Sequence, residues 1–242
     1  MTENHNNKNC EWLQQEIMQL PLIKFPFKLD NLPDSGIYFF YEKEECWGHG
    51  GHKPRVVRIG SCKNGNFQSR ISEHYLLDER KMEFNSNQAG PKERSIFRKN
   101  IGRALLNKHE SNYLKIWEID FTDRDTRKRY GHLRDISLEQ KLERQITKIM
   151  RETFTFRFIK IENEMGGAGL ESKLIGTIAH CELCKPSKKW LGQFSPKEEI
   201  RKSGLWLIQH LASKGITQED RFKLKTIINS GSTQTHMKNN RL

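Results

Sequence analysis

The chain has 242 residues, and 42 lysines and arginines against 30 acidic residues leave it a net charge of +12. That length suits one well-packed domain with extensions, and so basic a field favours a polyanion, nucleic acid first. No apolar run approaches the roughly 18 residues that span a bilayer, and "MTENHNNKNC" lacks the apolar centre of a secretory signal, so a cytoplasmic protein with no membrane partner is expected.

The first nine residues read as a disordered tail, and "CEWLQQEIMQL" spaces Trp12, Leu13, Ile17 and Leu20 as a short amphipathic helix stopped before Pro21. After the turn cluster "LPDSG", the β-branched and aromatic run "GIYFFYE" predicts a buried strand. "KEECWGHGGHKP" predicts a loop and "RVVRIG" a second strand, so the two runs form a long-looped antiparallel hairpin. A helix follows over about 67–78. "KMEFNSNQAGPKERS" reads as polar loop, "SIFRKNIGRALLNK" as a basic helix and "NYLKIWEIDF" as a strand. "SLEQKLERQITKIM" predicts a helix opened by a capping box from Ser137 to Gln140, and "FTFRFIKIE" a further strand. "MGGAG" breaks the chain before the helix "LESKLIGTIAHC". Ser195 to Glu198 and Thr217 to Asp220 open two more helices, and a polar tail closes the chain.

This order predicts an α+β fold: a small antiparallel or mixed sheet flanked by helices, with helical N- and C-terminal extensions. The expected organisation is a tail over 1–9, an N-terminal extension over 10–31, a core over 32–191 with an insertion at about 79–153, a C-terminal helical extension over 192–230 and a tail over 231–242.

Three charged or titratable side chains stand where apolar ones are expected. Leu174, Ile175 and Ile178 follow Glu171 at helical spacing, so Glu171 occupies the first position of an apolar stripe. A carboxylate there needs a cation, a metal or a hydrogen bond, or else points to solvent from a first turn whose dipole favours it. Arg70 and His74, at i and i+4, meet on one helix face. They suit clamping a phosphate and moving a proton, or serve as a rim arginine and a hydrogen-bonded core histidine.

With Tyr38, these features fall in a known order. "GIY" at Gly36 to Tyr38, "RIG" at Arg58 to Gly60, the helix with Arg70 and His74, and the helix opening with Glu171 resemble the GIY-YIG nuclease family. The resemblance covers about residues 32–191, discontinuously. It implies a small antiparallel sheet flanked by helices, and phosphodiester hydrolysis with one divalent metal. Glu171 would hold Mg²⁺, for which Mn²⁺ substitutes, Arg70 would neutralise the phosphoryl oxygens, Tyr38 would activate or orient water, and His74 would join the proton relay. Arg58 stands where the family has its second tyrosine, and Lys189 where it has an asparagine. An arginine is not a base at neutral pH but can bind phosphate or lower the pKa of Tyr38.

The resemblance implies a DNA endonuclease, sequence-specific and of the restriction or defence type. The alternatives are a structure-specific repair-type nuclease and a catalytically inactive nucleic-acid-binding protein on the same fold. Arg94, Arg98, Lys99 and Arg103 on the basic helix, with Lys188 and Lys189 of "PSKKW", are expected to track phosphates. The asparagines and glutamine of "NSNQAG" read as adenine contacts or as an ordinary turn. Leu205, Trp206, Leu207 and Leu211 are expected to supply a homodimer interface. The five cysteines, Cys10, Cys46, Cys62, Cys181 and Cys184, are odd in number and, with no secretory context, argue against a disulfide framework. Cys181 and Cys184 form a lone CxxC, read as two buried helix-end thiols rather than as zinc ligands. Cys46, Cys62, His49 and His52 are further metal ligands by type only.

Overall fold

Four strands form one antiparallel sheet in the computed structural model, which describes residues 5–161 and 169–239. The glycine-rich break expected before Glu171 falls largely at 162–168, outside the described residues, as do the first four residues and the last three of the tail. In chain order the elements are α1 (His5–Met18), β1 (Ile23–Lys24), β2 (Gly36–Cys46), β3 (Pro54–Cys62), α2 (Phe67–Tyr75), α3 (Pro91–Arg94), α4 (Ile96–Lys108), α5 (Leu114–Glu118), α6 (Arg124–Tyr130), α7 (Ile136–Thr153), β4 (Phe154–Lys160), α8 (Leu170–Ala179), α9 (Glu198–Ser203) and α10 (Gln218–Asn239). The sheet order is β1-β4-β2-β3, with the long-looped hairpin β2–β3 as expected and β3 at one edge. The fold is therefore α+β, a small sheet with helices on both faces.

Strand alternation divides the core in two. Ile37, Phe39, Tyr41 and Ile59 face α1, α8 and α10, where they meet Leu13, Ile17, Leu174, Ile178 and Leu224. Tyr38, Phe40 and Phe156 face the other way, toward Phe67, Ile71 and Tyr75 of α2, Phe97 and Ile101 of α4 and Ile146 of α7.

Several expected boundaries move, each for a tertiary reason. Helix α1 begins at His5 rather than Cys10, because Asn9 and Cys10 are buried and the Asn9 side chain donates to the Ile216 carbonyl at 2.9 Å. "NYLKIWEIDF" holds the short helix α5, not a strand. Trp117 lies on Gly102, where a Cβ would stand 2.4 Å from the indole, and the carbonyls of Glu118 and Ile119 accept from Lys99 and Lys92 instead of from a neighbouring strand. The cap of α7 is Asp135, which accepts from the Leu138 N–H at 2.9 Å, so Ser137 lies inside the helix. Ser195 accepts from the Lys197 N–H, yet α9 starts only at Glu198 and lasts six residues. Helix α10 opens as expected on the reciprocal pair Thr217 and Asp220. It continues to Asn239, past the expected start of the tail, since an isolated glycine such as Gly231 does not end a helix.

The segment after α9 packs inward. Leu205 and Trp206 are fully buried, Leu207 is nearly so and Leu211 packs at the margin of the core, which removes the expected dimer interface. The Trp206 N–H donates to the Val57 carbonyl at 2.7 Å, so this segment covers part of the open edge of β3. Glu42 ties it to β2 by accepting the indole N–H groups of Trp190 and Trp206 at 2.7 and 2.8 Å. Burial pushes the Glu42 carboxyl from its ordinary value near 4.5 up to about 7, with the two indole donors opposing the rise. Between those values the folded chain holds a proton that the unfolded chain releases. Folding stability is therefore expected to fall as pH rises from about 4.5 to about 7 through this group. Urea titrations at pH 5 and pH 8 should show that the Glu42→Gln variant loses this part of the pH dependence.

Candidate active site

Tyr38 stands directly across from Gly60 on β3 and from Phe158 on β4. A Cβ at Gly60 would lie 2.2 Å from the Tyr38 hydroxyl, so only glycine lets the phenol lie across the edge strand. This is a physical reason for a glycine at the end of "RIG". The phenol is buried, and its oxygen is 3.1 Å from His74 Nε2. His74 Nδ1 is in turn 2.7 Å from the hydroxyl of Ser95, which also caps α4 by accepting from the Arg98 N–H. The result is a buried chain Tyr38–His74–Ser95 linking β2, α2 and α4.

Its electrostatics follow from burial. Desolvation pushes the Tyr38 phenol above its ordinary pKa near 10, while Arg58 and Arg70 pull it down. Burial, reinforced by the positive charges of Arg58, Arg70 and Arg98, holds His74 well below the usual imidazole range. His74 is therefore neutral and offers one ring nitrogen as a proton acceptor. The guanidinium of Arg58 lies 4.8 Å from the centre of the Phe97 ring and donates through NH1 to the Trp206 carbonyl. Among the described residues its buried Nε has no hydrogen-bond partner.

Arg70 is half exposed at the rim, where NH1 donates to Glu73 at 3.1 Å and to the Arg94 carbonyl at 2.8 Å. Glu171 reaches the same edge strand from the opposite face of the sheet. It lies in the first turn of α8 and accepts from the Ser61 hydroxyl at 2.5 Å. The next residue, Cys62, responds to both sides. Burial pushes its thiol up to about 11, Arg70 opposes the rise and Glu171 adds to it. A small recess lined by Gly36, Ile37, Ser61, Cys62 and Lys63 opens beside Ser61.

The structure thus joins Tyr38, His74, Arg58 and Arg70 on one face, while Glu171 meets the strand end from the other. Two participants had no expected role. Ser95, at the start of the basic run, is fully buried, and Ser61 simply follows "RIG".

The basic helix does not form the expected phosphate-tracking face. Arg98 is fully buried and donates to Glu143, Thr147 and the His74 carbonyl. Lys99 donates to the Glu118 carbonyl, and desolvation lowers its pKa to about 8. Arg103 forms a two-pronged ion pair with Glu118. These cations hold α4 to α5 and α7. Arg94, Lys188 and Lys189 are exposed. The asparagine-rich loop is an exposed turn pinned from beneath by Arg134, which donates to the carbonyls of Asn85, Ser86 and Gln88.

Among the described residues, two groups suit metals. Glu171 with Ser61 offers only oxygen, which fits a hydrated hard cation that takes one or two carboxylates. On the far side of the same face, the expected pair of helix-end thiols is part of a larger cluster. Cys10, His49, Cys181 and Cys184 place their donor atoms within 4.8 Å of one another, whereas Cys46, Cys62 and His52 lie outside it. Nothing in the sequence near Cys10 pointed to this, because its neighbours are supplied by segments far along the chain.

A family model described as a GIY-YIG domain matches residues 10–230. No curated protein and no solved structure matches the chain.

Proposed function

The chain belongs to the GIY-YIG family of nucleases, and on that premise we propose that it is a metal-dependent DNA endonuclease that cuts at specific sequences, of the restriction or defence type. The observation that carries the catalytic part is the Tyr38 hydroxyl, held over Gly60 and bonded to a neutral His74. A water attacking phosphorus gives its proton to the Tyr38 oxygen as the phenolic proton passes to His74 Nε2. Ser95 fixes the imidazole through Nδ1. Arg58 eases the departure of the phenolic proton by its charge and, unlike the family's tyrosine, takes no proton itself. Arg70 at the rim stabilises the phosphoryl oxygens as negative charge grows on them. Glu171 is the residue that would hold Mg²⁺ or Mn²⁺, which when bound polarises a phosphate oxygen and steadies the leaving one.

Arg94, Lys188 and Lys189, all exposed, are the proposed phosphate contacts that orient the duplex. The net charge of +12 supports a polyanionic substrate. Unmodified plasmid incubated with the purified protein and Mg²⁺ is expected to yield discrete fragments, and EDTA is expected to stop the cleavage. Nicking without discrete fragments would replace sequence specificity with structure specificity. Salt-sensitive binding without scission, on intact and branched DNA alike, would overturn the enzyme and leave a binding protein.

A further inference from the structure

We propose that Cys10, His49, Cys181 and Cys184 form a structural zinc site that ties the N-terminal helix to the β2–β3 loop and to the turn after α8. This inference concerns a different place from Glu171 and does not depend on nuclease activity. The first argument is spacing. With zinc–sulfur bonds of about 2.3 Å and zinc–nitrogen bonds of about 2.0–2.1 Å, a tetrahedron sets sulfurs about 3.8 Å apart and sulfur from nitrogen about 3.5 Å apart. Cys10 Sγ and Cys184 Sγ are 3.8 Å apart, and Cys181 Sγ is 3.3 Å from His49 Nε2. Thiols gathered only to fill a core have no use for an imidazole nitrogen turned toward them.

The second argument is what surrounds the sulfurs. Gln14 donates from Nε2 to Cys184 Sγ at 3.1 Å and to Cys10 Sγ at 3.3 Å. Its oxygen accepts from the Val56 N–H at 3.0 Å, which fixes the amide with its N–H groups toward the cysteines. Donors aimed at sulfur stabilise thiolates and orient them, as the outer hydrogen bonds of a metal centre do. Gly48 also makes the site possible. A Cβ there would stand 1.8 Å from the Leu183 carbonyl, so only glycine lets the loop carrying His49 lie against the CxxC turn.

Three thiolates and one imidazole prefer zinc to the hard cations that suit Glu171. Four protein ligands leave no open position, which makes the site structural rather than catalytic. All three cysteines are buried, and His49 is partly so.

The test is metal analysis of the protein purified without chelator or metal-affinity resin, with no DNA present. Elemental analysis and native mass spectrometry are expected to find about one zinc per chain. Cobalt replacement is expected to give a thiolate charge-transfer band and tetrahedral d–d bands. Cys184→Ser and His49→Ala should lose the zinc, and Cys46→Ser, which changes an exposed thiol outside the cluster, should keep it. Stripping the metal from wild type is expected to lower the melting temperature by about 10 °C or more. Should the cysteine variant fail to fold, the wild-type stoichiometry and the cobalt spectrum still decide. Metal-free wild type that melts unchanged when zinc is added would overturn the proposal. So would an unreduced mass lower by two hydrogens, which would mark a Cys10–Cys184 disulfide instead. Because no step involves cleavage, a missing zinc and a missing nuclease are separate results.

Discussion

Glu171→Ala is expected to lower the rate of DNA cleavage by roughly a thousandfold or more, the scale on which a single transition-state electrostatic contact acts. The same change should leave the fold nearly intact. Glu171 is not deeply buried, and among the described residues its side-chain hydrogen bond is the 2.5 Å contact from the Ser61 hydroxyl. Removing it forfeits that bond and a favourable interaction with the N-terminus of α8, together about 1–2 kcal/mol. Single-turnover cleavage of plasmid, read beside a thermal melt, separates the two effects. Cleavage by the variant at the wild-type rate would remove Glu171 from the mechanism. A large fall in melting temperature would mean that the carboxylate serves the fold first.

The second large effect runs the other way, on stability rather than on activity. Arg98→Ala is expected to destabilise the protein by about 3–5 kcal/mol, the cost of breaking a buried ion pair by removing one partner. The guanidinium is fully buried and donates to Glu143 Oε2 at 2.5 and 3.0 Å, to the Glu143 carbonyl at 3.0 Å, to Thr147 at 2.7 Å and to the His74 carbonyl at 3.1 Å. Burial already pushes the Glu143 carboxyl above its ordinary pKa, and Arg98 is the main group opposing that rise. Without the arginine, Glu143 must take a proton or remain an uncompensated charge in the core. The loss corresponds to a fall in melting temperature of roughly 10 °C for a chain of this size. A variant that melts like wild type but binds DNA more weakly would restore Arg98 to the phosphate-contacting surface and make the buried pair dispensable.

Arg98 also shows where sequence pattern stops being informative. A run such as "SIFRKNIGRALLNK" has the charge of a nucleic-acid face, and charge alone carries no record of Glu143, 45 positions later. The partners that bury Arg98, Lys99 and Arg103 come from α5 and α7, so the reading depended on packing that local composition does not encode. "NYLKIWEIDF" went wrong for the same reason: its alternation is real, but the surface it meets is helix α4 with Gly102 exposed to Trp117, not a sheet edge. The hairpin was legible because two apolar runs separated by a glycine-rich stretch pair locally. The order of Tyr38, Arg70, His74 and Glu171 was legible because each sits at a fixed place relative to a strand or helix end. Their grouping was only half visible. That His74 meets Tyr38 follows from one helix packing on one face, whereas Glu171 belongs to a helix on the other face. The place of Cys10 beside the CxxC was invisible, since it lies 174 positions from Cys184 and in a stretch that reads as the start of an ordinary helix.

The hydrogen bond from the Trp206 N–H to the Val57 carbonyl has a consequence for synthesis. During translation β2 and β3 emerge early, and β4 arrives about a hundred residues later to cover one side of the hairpin. The outer side of β3 waits longer, until Trp206 has left the ribosome. Over that interval the nascent chain displays unpaired backbone groups on a strand rich in valine and isoleucine, the kind of border that recruits a second strand. Chains released before this point would carry the same border permanently, so incomplete copies are expected to cluster while finished ones remain dispersed.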